Sequence, residues 1–459
     1  MKFGNQILSY QEDILRDLAQ LVAIPSVCSD ALPGMPFGRS AADALGCILK
    51  MADGMGLTVK NVENYAGDAR YGQGNEMVDI LTHVDVVPAG DGWATDPFTL
   101  TKRGSFYFGR GTADDKGAAI VSLYCLKALK DAGVTGKRCL RTVFGAGEEI
   151  SSNDLDVYYA SESYPVMGFT PDCSYGVCNC EKGILRIAID SAQNRSKVVR
   201  SFQSGTVVNA VPAKAEAVLF YDDEYYGRLE QAVKVAEGKF ELEKSAGEIR
   251  IISHGKAAHG AEPELGINAA AHLIVLLAKV FSAEELGSLL TFLNQRVSTE
   301  VDGNALGILQ KDKPSGSLTL NLGIVRITED SAEASVDIRY PVTSDGGQII
   351  QTIMNEAEQY YLSVKVLNYT KPLYIPASSP LISILQSSYE DVTGQACGIY
   401  STGGGTYARH AHGQVAAFGP IFPDEPPSNA HNHDEHIHID SFMRHAQVCL
   451  EAMYRLFTE

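Results

Sequence analysis

The stretch from Met77 to Gly117 constrains the fold of this 459-residue chain more than any other. It starts with apolar residues that predict a buried strand from Met77 to Val87. His83 and Asp85 stand near the end of this strand. Because side chains two residues apart lie on the same side of a strand, the two are expected to project together.

A second polar cluster in the same stretch stands at the start of a predicted helix. Asp114 and Asp115 follow a glycine-containing turn and precede the helix, which is predicted from Ala118 to Asp131. A strand end and a helix start therefore bring one histidine and up to three carboxylates into one loop region. In open α/β sheets, ligands bind at this place.

The chain changes character twice, which predicts two domains. Residues 1–181 and 372–459 alternate strands with helices, as expected for an α/β domain with a mostly parallel sheet. Residues 182–371 contain half-exposed strands with flanking helices, among them a predicted hairpin of Ser317–Ile327 and Ala332–Arg339. We interpret this segment as an α+β domain inserted into the first, and the length of the chain agrees with two domains.

Composition excludes several classes of protein. The formal net charge of −18 disfavours nucleic acid and anionic membranes as partners. The nine cysteines show no disulfide-like density, so we expect reduced thiols, including the neighbouring Cys173, Cys178 and Cys180. The N-terminal sequence lacks the apolar core of a signal peptide, and no apolar run is long enough to span a membrane. These features predict a cytoplasmic protein.

Several polar clusters fall at the ends of predicted strands. Two histidines and three carboxylates among them suit two Zn²⁺ ions or similar metals, one carboxylate can bridge both ions, and a further Glu can act as a base. Each cluster alone also has a plainer explanation: a Glu pair is usually surface, and a histidine tract can be an adventitious metal site. The residues in question are His83, Asp85, Asp114, Glu148, Glu149, Asp172 and the tract His431, His433, His436 and His438.

Taken in order, the motifs resemble those of the di-metal aminoacylase and carboxypeptidase family of metallopeptidases, and within it the PepV-type, carnosinase-like bacterial dipeptidases. The resemblance covers nearly the whole chain. The motifs that carry it are HVDVVPAGDGW, GRGTADDKG, GEE, FTPD, GKAAHG, GGGTYAR and AHNHDE.

The resemblance implies a role for each matching position. One metal would be held by His83, Asp114 and Asp172, and the other by Asp114, Glu149 and His431. Asp114 is preferred to Asp115 as the bridging ligand because the first Asp bridges in the family pattern. Asp85 would orient His83, and Glu148 would be the general base. The inserted domain would supply His259 for the oxyanion, with Asn209 and Arg339 contacting substrate, and the glycine loop would bind the substrate carboxylate near Gly405 and Thr406.

The implied function is a metallo-dipeptidase that hydrolyses short peptides, with β-Ala-His among the candidate substrates. A metal-bridged hydroxide would attack the peptide carbon after Glu148 takes its proton, and Zn²⁺ is the first choice of metal, with Mn²⁺ or Co²⁺ as alternatives. The same metals and attack would serve an N-acyl-amino-acid deacylase or desuccinylase, so this alternative stays open. A metal-binding protein without catalysis is less favoured because it needs no unligated base.

The length of the inserted segment also predicts the oligomeric state. In the family that the chain resembles, many members carry a small lid and dimerise through it, and the partner subunit lends the oxyanion histidine. Here the segment holds two strand-and-helix groups, one ending near Phe281 and one spanning Ser317–Tyr361. We expect the second group to replace the partner's lid, which makes the protein a monomer whose domains close over the substrate.

Overall fold

A computed structural model describes residues 3–150, 153–191, 196–245 and 247–459. The chain forms two compact units. Unit 1 comprises Met1–Asn179, Leu373–Tyr400 and Gly405–Glu459, and unit 2 comprises Cys180–Pro372 and Ser401–Gly404. The boundaries predicted from sequence were 181/182 and 371/372, and unit 2 additionally takes in residues 401–404.

The helices alternate with strands along unit 1 and flank the sheet of unit 2. The α-helices are α1 (Gln11–Val22), α2 (Arg39–Gly54), α3 (Lys116–Asp131), α4 (Asn153–Ser161), α5 (Asp223–Val235), α6 (Ala269–Val280), α7 (Ala283–Leu286), α8 (Ser288–Phe292), α9 (Gly346–Glu358), α10 (Pro380–Thr393) and α11 (Ile439–Thr458). Helical segments of the 3₁₀ or π type lie at Phe3–Tyr10, Pro263–Leu265, Leu293–Val297 and Tyr407–Ala411.

The strands divide between one large sheet in each unit and several small ladders. In the first half of the chain they are β1 (Thr58–Val62), β2 (Ala66–Tyr71), β3 (Met77–His83), β4 (Thr101–Arg103), β5 (Phe106–Phe108), β6 (Cys139–Gly145), β7 (Met167–Thr170), β8 (Cys173–Ser174), β9 (Val177–Glu181), β10 (Gly183–Ser191), β11 (Val199–Ser204) and β12 (Lys214–Phe220). In the second half they are β13 (Lys239–Ser245), β14 (Glu248–His254), β15 (Lys311–Asp312), β16 (Gly316–Ser317), β17 (Thr319–Ile327), β18 (Ala332–Tyr340), β19 (Ser363–Thr370), β20 (Leu373–Tyr374), β21 (Ile399–Thr402), β22 (Val415–Ala417), β23 (Pro420–Ile421) and β24 (His436–His438).

The sheet of unit 1 has a parallel centre. Its strand order is β1-β2-β6-β3-β7-β22-β9-β20, with β21 paired to β9. Strands β6, β3, β7 and β22 run parallel, whereas β1, β2 and β9 pair antiparallel on either side. The predicted α/β class with a mostly parallel sheet is confirmed at the centre. Strands β1 and β2 form a hairpin, and β2 carries polar residues such as Asp68 and Arg70 although Asp68 is buried.

The helices of unit 1 pack apolar residues into its core. Helix α1 buries Ile14, Leu18 and Leu21, and α3, which lies under the sheet centre, is buried on nearly all sides. Packing of α3 against α11 and the sheet therefore fixes the start of the helix, which Asp114 precedes by two residues. No helix within the described residues is both long and apolar enough to cross a membrane.

Strand β3 is shorter than the sequence predicted. Its pairing with β6 ends at His83, opposite Gly145, and not at Val87. Beyond this point the backbone N–H of Val86 donates to the carbonyl of Ser26 at 3.1 Å, so the chain has left the sheet. Asp85 therefore lies in the loop after the strand, and its side chain is placed by that loop instead of by strand alternation.

The sheet of unit 2 consists of two four-stranded halves joined edge to edge. The strand order is β13-β14-β12-β11-β17-β18-β10-β19, and all the pairings are antiparallel. Residues 202–204 of β11 pair with residues 325–327 of β17 to join the halves. Helix α5 connects β12 to β13 in one half, and α9 connects β18 to β19 in the other. The hairpin predicted near Ser317–Arg339 is confirmed as β17 and β18. Strand β10, which starts the segment, belongs to the second half and not the first.

Candidate metal centre

His83, the last residue of β3, points at carboxylates on two sides. Its Nε2 lies 3.1 Å from Oδ1 of Asp114. On the other side its Nδ1 lies 3.1 Å from the backbone carbonyl of Asp85 and 3.4 Å from the Asp85 carboxylate. The side chain is buried, so the ring is held in one orientation with Nε2 toward Asp114.

Asp114 stands between two histidines, as a bridging ligand would. Its Oδ2 lies 3.0 Å from Nε2 of His431, which in turn is 3.2 Å from Oε2 of Glu149. Ligand atoms of His83, Asp114 and Glu149 all lie within 4.8 Å of one another. His431 has a left-handed backbone with φ of 62°, an unusual conformation for a residue other than glycine and one often found at functional sites.

Asp85 holds the Glu-Glu pair in place as well as His83. Its carboxylate accepts the backbone N–H groups of Glu148 at 3.2 Å and Glu149 at 3.0 Å. One buried carboxylate thus connects the loop after β3 with the loop after β6. Cys28 adds a weak contact, because its Sγ lies 3.5 Å from Asp85 Oδ2.

A second carboxylate, which the sequence reasoning missed, holds the residues just before the pair. Asp154 on α4 accepts the backbone N–H groups of Ala146 and Gly147, each at 2.9 Å, and the hydroxyl of Tyr407. Two carboxylates therefore accept four successive backbone N–H groups, residues 146 to 149. The sequence offered one sign of this role: Asp154 follows Glu149 closely in the chain and stands in the polar first turn of a helix.

Helix α4 is itself anchored by buried tyrosines. Tyr158 donates to Asp68 of β2 at 2.7 Å, and Tyr159 donates to Asp79 of β3 at 2.7 Å. Asp79 also receives two hydrogen bonds from the buried Arg141 of β6. These contacts fix α4 against the sheet, and so they fix the position of Asp154.

Burial, together with neighbouring negative charges, raises the pKa values of two carboxyl groups at the cluster, Glu148 and Asp172. Burial raises the pKa of Glu148 to about 8, and the charges of Glu149 and Asp85 add to the rise. Burial also raises the pKa of Asp172, which follows β7, with contributions from Asp114 and Glu148. Hydrogen bonds to Asp114 and Glu149 raise the pKa of His431 to about 10. A cation would relieve this repulsion between acidic groups.

The donor set fits a divalent metal. Imidazole nitrogens and carboxylate oxygens are ligands that zinc and similar ions accept. Among the residues that the structure describes, the buried oxygen Oε1 of Glu149 has no hydrogen-bond partner, which is costly for a carboxylate unless a cation binds it. The predicted ligands His83, Asp114, Glu149 and His431 are brought together. Asp172 is near enough for the charges of Asp114 and Glu148 to raise its pKa.

The rest of the histidine tract lies elsewhere in unit 1. His436 and His438 pack their rings against Phe106 of the small β5–β24 ladder. His433 is exposed. His431 is therefore the member of the tract that reaches the cluster, which excludes the alternative that the tract as a whole forms a metal site.

The predicted residues Asn209 and His259 lie together in unit 2. The two segments form an antiparallel bridge between Ala210 and His259, and Gly260 donates its N–H to the carbonyl of Asn209 at 2.7 Å. His259 is exposed, and its Nδ1 accepts the N–H of Ala261 at 3.3 Å.

Arg339 of β18 is buried, with 2% of its surface exposed, and is oriented by partners that the sequence did not indicate. Asp337, also buried, binds its guanidinium through two oxygens, at 2.5 and 3.0 Å. Nη1 of Arg339 donates to the carbonyl of Gly403 at 2.7 Å, and Arg186 contacts Asp337 at 3.0 Å. The guanidinium is thus held in a fixed orientation beside the first glycine of the GGGTYAR motif.

Gly405 and Thr406 belong to unit 1. The hydroxyl of Thr406 accepts the N–H of Ala408 and caps the short helix Tyr407–Ala411. A Cβ on Gly405 would stand 2.6 Å from Nε of Arg409, so glycine allows the guanidinium to lie against the backbone. Arg409 is a further candidate for binding an anion that the sequence reasoning did not name.

Comparison with known proteins agrees with this arrangement. The profile described as "Peptidase family M20/M25/M40" matches residues 80–455. A Bacillus subtilis (strain 168) protein named "Putative dipeptidase YtjP" is 34% identical over 470 residues, covering 99% of this chain and 100% of the relative.

Solved structures show the same fold. Human carnosine dipeptidase 1 superposes with a TM-score of 0.57 at 12% identity, covering 99% of this chain and 98% of that one. Aminoacylhistidine dipeptidase from Vibrio alginolyticus gives 0.58 at 13% identity, with 97% of each chain covered. From the profile match and the full-length relative, the chain belongs to peptidase family M20/M25/M40 and is a metallopeptidase.

Proposed function

We propose that this protein is a dipeptidase with two divalent metal ions, which cleaves Xaa-Xaa dipeptides such as β-Ala-His. The observation that carries the proposal is the convergence of His83, Asp114, Glu149 and His431 on one cluster, in which the side chain of His83 is buried and that of His431 is exposed. The relatives named for dipeptidase activity, including YtjP, support the substrate class.

The ligands for two ions divide around Asp114. One ion would take His83, Asp114 and Asp172, and the other Asp114, Glu149 and His431. Zn²⁺ suits this set, with Mn²⁺ or Co²⁺ as alternatives. Bound there, the ions would supply positive charge that acidifies water and polarises the peptide carbonyl.

The side chains of the protein carry the proton and orient the substrate. Glu148 takes a proton from the attacking water on a carboxylate oxygen and returns it to the leaving amine. His259 donates to the oxyanion, and Asn209 contacts the substrate beside it. Arg339, with the loop at Gly405 and Thr406, binds the C-terminal carboxylate of the substrate.

A substrate panel tests the assignment. Protein stripped with a chelator should be inactive and should recover with Zn²⁺, Mn²⁺ or Co²⁺. The reloaded enzyme should cleave free dipeptides with a kcat/KM about tenfold or more above that for tripeptides and for N-acetyl- or N-succinyl-amino acids. Higher kcat/KM on the acylated amino acids would replace the dipeptidase by the deacylase alternative.

We also propose that the enzyme is a monomer in the cytoplasm. The joined halves of the unit 2 sheet support the first part, since one chain supplies two strand-and-helix groups where a dimeric lid would use two chains. The nine cysteines of the 459-residue chain are too sparse for a disulfide framework, which supports a reducing compartment.

Mass and complementation measurements test the monomer. Light scattering after size exclusion should give one chain, 49.5 kDa. Mixing inactive His259→Ala with inactive Glu148→Ala should restore no activity, because each chain would hold both residues of its own site. Recovered activity in the mixture would show that the histidine is shared between subunits.

A further inference from the structure

The carboxylate of Glu435, four residues after His431, lies fully buried under the loop that ends in Asp114. Its Oε1 accepts the backbone N–H groups of Ala113 at 2.8 Å and Asp114 at 3.2 Å. Its Oε2 accepts the N–H of Gly111 at 3.0 Å and a guanidinium N–H of Arg110 at 2.7 Å. Four donors on one carboxylate define its position closely.

Arg110 extends this contact to a third loop. Its Nη2 donates to the carbonyls of Pro88 and Ala89, each at 3.2 Å, in the loop that follows His83 and Asp85. Its guanidinium also lies over the ring of Trp93, 5.3 Å from the centroid. The Arg110–Glu435 pair, with each side chain 1% exposed, therefore joins the three loops next to His83, Asp114 and His431.

This arrangement has a direct consequence for metal ligation. Asp114 is held through its own backbone N–H by a residue of the loop that carries His431. The spacing between the carboxylate of Asp114 and Nε2 of His431, 3.0 Å here, therefore depends on a bond outside the ligand set. Groups that orient metal ligands from behind commonly change metal affinity about 10- to 100-fold when they are altered.

We infer that Glu435 is a positioning residue that sets the spacing between Asp114 and His431 and so tunes the affinity of the metal they share. The inference rests on the proposed function, because it takes Asp114 and His431 as ligands. It also accounts for motif residues that ligate nothing: Arg110 in GRGTADDKG, Trp93 in HVDVVPAGDGW and Glu435 in AHNHDE.

Metal titration of the apo protein tests the inference. Glu435→Gln keeps the size of the side chain but replaces one acceptor oxygen by an NH₂ group that faces N–H donors. With Zn²⁺ titrated against a chromophoric competitor, the weaker of two binding steps should lose about 10- to 100-fold in affinity. At saturating Zn²⁺, kcat should return to within a few-fold of the wild type, because the chemical groups are all present.

The neighbouring residue provides a matched control. Asp434 accepts one backbone N–H, that of Ala94, through Oδ1, and Asp434→Asn retains that oxygen. This variant should bind Zn²⁺ as the wild type does. A second variant, Glu435→Asp, keeps the charge beside Arg110 but withdraws it by one methylene from the amides, and it should also bind Zn²⁺ more weakly.

The outcomes separate this inference from the metal assignment. If the wild type itself takes up no divalent ion, the proposed function fails. If the wild type binds Zn²⁺ and a folded Glu435→Gln or Glu435→Asp variant binds it equally well, the positioning role is wrong. Loss of the fold in both variants, seen by circular dichroism, would make Glu435 a residue of the core and would equally overturn the inference.

Discussion

Replacing Glu148 with alanine is expected to lower kcat by about 10²- to 10⁴-fold, the range for loss of a general base. The protein should still bind both metals, because Glu148 is not among the proposed ligands. The backbone N–H of residue 148, which Asp85 accepts, is unchanged by the substitution, so the loop should keep its position. Steady-state kinetics and elemental analysis of the same sample measure the two effects.

Glu149 is the matched control for this experiment. It is the next residue, its N–H binds the same carboxylate of Asp85, and one of its oxygens lies 3.2 Å from His431. Glu149→Ala should lose metal occupancy together with activity. Comparing the two variants therefore distinguishes the loss of a general base, at Glu148, from the loss of a metal ligand, at Glu149. Near wild-type turnover in Glu148→Ala would mean that another group carries the proton.

Removing the guanidinium of Arg339 is expected to lower kcat/KM for free dipeptides by about 10²-fold, as for loss of one partner of a buried charge pair. Dipeptides with an amidated C-terminus should be poor substrates of the wild type and should lose little more in Arg339→Ala. The variant should fold, because Asp337 retains Arg186 as a partner at 3.0 Å. Kinetics with paired free and amidated dipeptides give the comparison.

Two other arginines sharpen this test. Arg186→Ala removes the other cation beside Asp337, and it should leave the preference for a free C-terminus intact. Arg409 lies against Gly405 in the glycine motif, and Arg409→Ala is the corresponding test of the second candidate. If the preference for a free carboxylate disappears in Arg409→Ala and persists in Arg339→Ala, the carboxylate site belongs to Arg409.

Local sequence patterns predicted much of the fold and pointed to several residues of the cluster. The sequence predicted the helix Ala118–Asp131, which the structure shows as α3 (Lys116–Asp131), and it predicted the hairpin of β17 and β18. The residues at strand ends, His83 and Glu149, were found because the carboxyl ends of parallel strands meet at one edge of a sheet. The resemblance selected Asp114 over Asp115, and it is Asp114 that stands between two histidines.

Where local pattern failed, tertiary contacts had overridden it. Strand alternation placed Asp85 in β3, but the bond between Val86 and Ser26 takes the chain out of the sheet at His83. The hydrophobic pattern of residues 182–371 showed two groups in chain order, yet β10 from the first group pairs with β18 and β19 of the second. Which strands pair depends on which strand edges lie next to each other in the folded chain, and a local sequence pattern does not contain this information.

The sequence by itself determined which chemical groups are present and at which ends of strands and helices they stand, because periodicity and turn residues act over a few positions. Only the tertiary structure decided which carboxylates hold the others in place. Asp154, Asp337 and Glu435 look like ordinary surface charges in the sequence, and Glu435 lies 325 positions from Arg110. They are buried and paired because packing removes water from them, and a buried carboxylate is stable only where donors or cations meet it.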